Sequence, residues 1–284
     1  MPIDAPVVAP VMVPFEYASV QAPLIVVEGR LGEATKKARI VIDTGATAPY
    51  AAYLSVSRGR ALKLSLSDEK RPEASTAIGD ATQAYREGEL SNITIGPLQR
   101  KAARVAVMPM IDAMTQSVGK PVDAIIGYEF LRTYRFSIDY PSRQIDFAAR
   151  AGPDEQALSF HLAQKKPLVL IQAMVNGRGP FTFEIDTGAT VTSLSPDVAE
   201  RAGIVSNGAG RLSGAGGSVA IRQGDARLSL GPLSYDMSHI SISDHLSWIS
   251  SAAGSQVDGI VGLDFLYHTR LTIDYPASKV WIED

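Results

Sequence analysis

The chain has 284 residues, 45% hydrophobic and 20% charged, with a formal net charge of −3 and no cysteine. This length fits about two domains, and the composition is that of a globular chain able to bury a sizeable core. The missing cysteine excludes disulfides, thiolate catalysis and Cys-ligated zinc, the mixed charges offer no basic block to nucleic acid or an anionic membrane, and no apolar run reaches the length of a membrane span.

The opening, MPIDAPVVAPVMVPFEY, has no basic n-region and no uninterrupted apolar h-region, so it does not read as a signal peptide. Its proline-rich start reads as the exposed beginning of a mature chain. Met1 is then either the true first residue or a start left after a removed leader. Next come LIVVEGRLG and ARIVIDTGA, short Val/Ile-rich runs bounded by Gly and read as strands. The second run ends in IDTGAT, Ile42–Thr47. Ala74–Gly88, around Gly79 and Asp80 and including Tyr85, reads as a polar hairpin. LSNITIG and RVAVMPM follow as strands, then VDAIIGYEFL (Val122–Leu131). FSIDYPSRQIDF reads as a hairpin with Pro at its turn. The small, polar stretch Ala148–Ala157 carries Gly152-Pro153 and marks a seam.

Beyond the seam the series repeats. LVLIQAMVNG and FTFEIDTGA are strands, and the second again ends in IDTGAT, Ile185–Thr190. SPDVAERAG (Ser195–Gly203) is the best helix signal, with Ser195 placed to cap, Pro196 at the first helical position and Gly203 to close. ARLSLG, VDGIVGLDFL (Val257–Leu266) and LTIDYPASKVWI then mirror the first half. The last three matches share an offset of 135 residues, whereas the IDTGAT pair is offset by 143, so the first half carries extra residues, expected within Ala48–Ala74. The chain is an internal duplication of two mostly β lobes, 1–150 and 151–284.

An isolated Asp-Thr-Gly is an ordinary turn. Here each copy closes an apolar strand, each is followed by an apolar pair and Gly (Ile125-Ile126-Gly127; Ile260-Val261-Gly262), and the set is duplicated in order. On these residues the sequence resembles the aspartic peptidases of the pepsin–retropepsin clan over nearly its whole length. DTGAT followed by IIGYEFL is more similar to the bacterial retropepsin-like branch, as if a retropepsin dimer were fused into one chain. The resemblance implies an all-β, bilobal acid-protease fold with a pseudo-twofold axis. It implies an aspartic endopeptidase that acts as a monomer on extended polypeptide without a cofactor or metal. Asp43 and Asp186 would be catalytic, and Thr44 and Thr187 would brace the opposed loops by hydroxyl hydrogen bonds. Gly45 and Gly188, lacking Cβ, let backbone N–H groups approach the carboxylates. Members of that branch often carry leaders, so an exported, soluble protein with no stable membrane insertion is expected.

The chemistry fits these residue types. Two carboxylates about 3 Å apart cannot both ionise and share one proton, as is general in aspartic proteases. One then takes a proton from water while the other donates to the scissile carbonyl. A flap is expected over the cleft, from Gly79, Asp80 and Tyr85 in the first lobe and from Gly214, Gly216 and Gly217 in Gly210–Gly224 of the second, ordinary exposed hairpins being the alternative. Tyr50, Tyr53 and Tyr85 fall near the cleft but read most simply as surface residues. The glycines of Gly208–Ser218 miss the G-x-G-x-x-G spacing, His161, His239, His245 and His268 form no H-E-x-x-H, and no G-x-S-x-G occurs. These features speak against nucleotide, zinc and serine-hydrolase chemistry. The competing class is a non-catalytic peptide-binding protein of the same fold. It has no use for two costly adjacent carboxylates.

Overall fold

The computed structural model describes residues 12–71, 84–214 and 217–284. The first half runs β1 (Met12–Tyr17), β2 (Ile25–Leu31), β3 (Ala38–Ile42), β4 (Ala52–Leu54), α1 (Val56–Ala61), β5 (Arg86–Ile95), β6 (Leu98–Val107), α2 (Pro109–Val118), β7 (Ala124–Ile126), α3 (Tyr128–Leu131), β8 (Arg135–Asp139) and β9 (Gln144–Asp146). The second runs β10 (Leu158–Ser159), β11 (His161–Leu162), β12 (Val169–Val175), β13 (Arg178–Ile185), β14 (Ser193–Leu194), α4 (Pro196–Arg201), β15 (Ser206–Gly214), β16 (Gly217–Leu230), β17 (Leu233–Ile242), α5 (His245–Ala253), β18 (Gly259–Val261), α6 (Leu263–Leu266), β19 (Arg270–Asp274) and β20 (Lys279–Glu283).

The same plan is laid down twice. β3 lies parallel to β7, pairing Ile40 with Ala124 and Ile42 with Ile126, and β13 lies parallel to β18, pairing Phe183 with Gly259 and Ile185 with Val261. Strands covered on both faces need apolar side chains in both directions, and Ile40, Val41 and Ile42 are all buried. The Asp of each Val-Asp repeat pins the parallel pair: Asp123 accepts from the Arg39 N–H and Asp258 from that of Thr182, each at 2.8 Å. The helix expected at Ser195 is present as α4, and the Ser195 hydroxyl accepts from the Val198 N–H.

The lobes meet in one sheet. β8 pairs antiparallel with β19, and the order continues β10-β20-β19-β8-β9-β1, with β1 passing on to β2. Both IDYP segments form the expected hairpins, β8–β9 and β19–β20. Ser137 and Thr272, equivalent by the 135 offset, pair across this sheet with their buried hydroxyls 2.6 Å apart, which places the pseudo-twofold axis between them. The seam packs here too: Gly152 lies against the buried Trp281 ring, whose Nε1 donates to the Pro153 carbonyl. Large buried side chains from both halves, Phe130, Phe136, Phe183 and Phe265 among them, join one continuous core.

Candidate active site

Each IDTGAT is the turn that leaves a buried strand and meets its twin. The Thr44 hydroxyl donates to the Ile185 carbonyl at 2.8 Å and accepts from the Thr187 N–H at 3.0 Å. The Thr187 hydroxyl donates to the Ile42 carbonyl at 3.1 Å and accepts from the Thr44 N–H at 3.0 Å. Both threonines are buried, so each bond replaces one that water would otherwise make. The Tyr128 N–H holds the Ala46 carbonyl, and the Leu263 N–H holds that of Ala189, both at 2.9 Å.

This clamp brings Asp43 and Asp186 into hydrogen-bond contact with each other. The approach leaves no room for a side chain in either turn. A Cβ on Gly188 would lie 2.5 Å from the Asp43 carboxyl carbon, and one on Gly45 3.0 Å from that of Asp186. Backbone donors surround the pair: the Ala46 N–H reaches Asp43 Oδ1 at 3.1 Å, and the Gly188 N–H reaches Asp186 Oδ1 at 2.8 Å. Burial first, then the Asp186 charge, hold the Asp43 carboxyl well above the usual carboxylate range. Burial also raises Asp186, opposed by the N–H groups of Gly188, Gly45 and Ala189 and by its bond to Asp43. One proton shared by the pair is the state these causes favour.

The pair opens into a cleft of about 960 Å³ between the lobes. Lobe 1 lines it with Tyr50, Tyr53, Tyr85, Met108 and Met114, and lobe 2 with Glu184, Lys165, Ile249 and Ile260. The tyrosines are not the plain surface residues they resembled in the sequence. Tyr50 is buried and packs edge-on against Tyr53 at 5.7 Å and Tyr85 at 5.8 Å, while Tyr53 Oη donates to the Thr47 carbonyl. Tyr50 lies in the expected insertion: Asp43 to Ser55, the N-cap of α1, is three residues longer than Asp186 to Ser195. Burial raises the pKa of both tyrosines, so they stay neutral donors.

Of the flap residues, Gly79, Asp80 and Gly216 lie outside the described residues. Tyr85 stands at the foot of β5 in the cleft wall. Gly214 and Gly217 pair at the end of the β15–β16 hairpin, and Leu212, Ser213 and Gly214 face the cleft. Among the described residues no group of three or more His, Cys, Asp or Glu could hold a metal. The sequence reading passed over Glu184, a buried acid in the cleft. Its signal was present: two residues before Asp186 on a strand, it points to the same side as that aspartate.

A bilobal β fold, duplicated about an axis that pairs one aspartate from each half, is the architecture of aspartic proteinases. The family model for aspartyl protease matches residues 27–130 and 171–265. The chain belongs to this family and is a peptidase of the aspartic class. Among solved structures it resembles the aspartic proteinase from Irpex lacteus, at 15% identity and a TM-score of 0.54, with 97% of each chain covered. At that identity the likeness speaks for the fold. No curated protein matches the chain.

Proposed function

We propose that the protein is a single-chain endopeptidase in which Asp43 and Asp186, one from each lobe, activate one water for attack on a peptide carbonyl. The observation that carries this is the closely opposed, half-buried pair of carboxyls at the floor of the cleft, each set against the glycine of the other turn. The ionised member takes a proton from water as hydroxide adds to the carbonyl carbon. The protonated member donates to the carbonyl oxygen, giving a non-covalent tetrahedral diol. Proton transfer to the amide nitrogen then lets the C–N bond break. Thr44 and Thr187 hold the loops in register, and Gly45 and Gly188 make the approach possible.

The substrate lies extended across the cleft, bonding through its backbone and placing alternate side chains in opposite subsites. The β15–β16 hairpin, with Gly214 and Gly217 at its end, covers it from lobe 2. Because lobes 1–150 and 151–284 are covalently joined, a monomer carries a full site. Activity per mole stays constant on dilution to nanomolar protein, and a steep loss there, adsorption excluded, would argue for intermolecular assembly. The test of the reaction is cleavage of an unfolded protein across the acidic range. A bell with its maximum at about pH 4–6 is expected, since one limb needs the base and the other the acid. Tight binding of a statine-type mimic without cleavage of any substrate would favour a peptide-binding protein instead.

A further inference from the structure

On either side of the Asp pair a row of four residues runs across neighbouring strands, and Val41, Ile125, Tyr53, Glu184 and Ile260 of the two rows line the cleft. In lobe 1 it reads Val26, Val41, Ile125, Tyr53, across β2, β3, β7 and β4. In lobe 2 it reads Leu170, Glu184, Ile260, Ser193, across β12, β13, β18 and β14. The helix above each row is apolar at matched positions, Met114 on α2 and Ile249 on α5. Two places in the rows change character: Val41 becomes Glu184, and Tyr53 becomes Ser193.

Glu184 is only 3% exposed and its carboxyl makes no hydrogen bond or ion pair with any described residue, yet it lines the cleft. Burying an unpaired acid is costly, and Val41 at the equivalent place shows that the fold has no need of one there. A group kept at a cost to stability, facing the substrate, is completed by a partner from outside the chain.

We propose that Glu184 makes the lobe 2 subsite beside the Asp pair selective for a basic side chain, lysine or arginine, at one of the two substrate positions flanking the scissile bond. Val41, Tyr53, Met108 and Met114 keep the opposite subsite apolar. This rests on the reading of Asp43 and Asp186 given above. The local field has the right sign. The half-buried Asp pair at the cleft floor carries one shared negative charge. Lys165 and Lys166 in the same lobe, and Arg71 opposite, are exposed or half-exposed and screened. Burial and the Asp186 and Asp43 charges raise Glu184, so the empty site holds a proton there. An entering ammonium or guanidinium sends that proton to solvent and leaves an ion pair.

The test is kcat/KM on matched quenched peptides carrying lysine, arginine or leucine at each of the two flanking positions. Wild type is expected to favour the basic residue at one position and reject it at the other. Glu184→Gln should cut the Lys-to-Leu ratio at that position by on the order of 10- to 100-fold, the range for losing one charge-assisted hydrogen bond. Glu184→Val, which copies lobe 1, should make both positions apolar while the all-leucine peptide is still cut. Aliphatic preference at both positions in wild type, or an unchanged ratio in Glu184→Gln, overturns the proposal and leaves the Asp reading standing. Cleavage of no peptide by wild type overturns both.

Discussion

The two lobes share a plan but not a surface. Their loops at the axis are near copies, with the same hexapeptide, the same threonine exchange and the same tether from the helix after β7 or β18. A few ångströms away the copies part. Lobe 1 walls the cleft with three stacked tyrosines and the methionines of α2, whereas lobe 2 offers an unpaired acid, two lysines and a glycine-rich hairpin. The contrast separates two kinds of constraint. Residues that act on each other across the axis must match, because each is the other's partner. Residues that face only substrate are free to diverge once both halves are written in one chain.

That comparison breaks first at the aspartates. Asp43→Asn and Asp186→Asn should each lower kcat on the order of 10³-fold or more with the fold intact by circular dichroism, as expected for loss of an acid or base. Near-normal kcat in either variant would make the pair unequal and the shared-proton reading wrong. The next effect is on stability. Thr44→Val strands the Thr187 N–H and the Ile185 carbonyl in a buried site and should cost about 1–3 kcal/mol in denaturant unfolding. Thr187→Val should cost about the same, and the double variant should show strong coupling, since both lie in one network. Additive losses would mean that the clamp is two independent contacts.

Much of this was legible in the sequence because the signal was repeated. The paired hexapeptides and the hairpins with Pro at the turn follow from comparing the halves, and α4 followed from its cap. Helices α2 and α5 did not. MPMIDAMTQSV reads as a strand end and a loop because Met108 has no capping side chain; only Pro109 and the left-handed Gly119 punctuate it. Tyr50 sits in an insertion with no twin, and Tyr53 stands opposite a serine, so comparing the halves was silent on both. Glu184 was hidden by its motif, since an acid beside Asp-Thr-Gly reads as part of the turn until strand alternation shows where it points.

A smaller effect sharpens the contrast at Glu184. A carboxyl raised in the folded state and ordinary in the unfolded state destabilises the fold as pH rises. The unfolded chain gives up its proton near pH 4.5, and the folded chain keeps it. Asp43, Asp186, Lys165, Lys166 and Arg71 are the charged groups that share the cleft with it. Glu184→Gln should therefore leave Tm unchanged near pH 4 and raise it near pH 7. A loss of Tm at pH 7 would show that the acid is paired in the free enzyme. The smallest effect is at Ala46 and Ala189, where a serine hydroxyl could donate to the adjacent carboxylate. Either substitution should move the acidic limb of kcat/KM to lower pH by ~0.5–1 unit. Unmoved limbs in two well-folded variants would remove the hydroxyl argument.

The sheet between the lobes has a consequence for how the protein is made. β8 emerges from the ribosome with one edge bare, and its partner β19 follows about 130 residues later. Until residues 270–283 are out, the first hexapeptide can fold as a turn but has no twin clamped against it. The nascent chain therefore carries half of a site through most of its synthesis. The sheet that joins the lobes is closed only when the last strands dock.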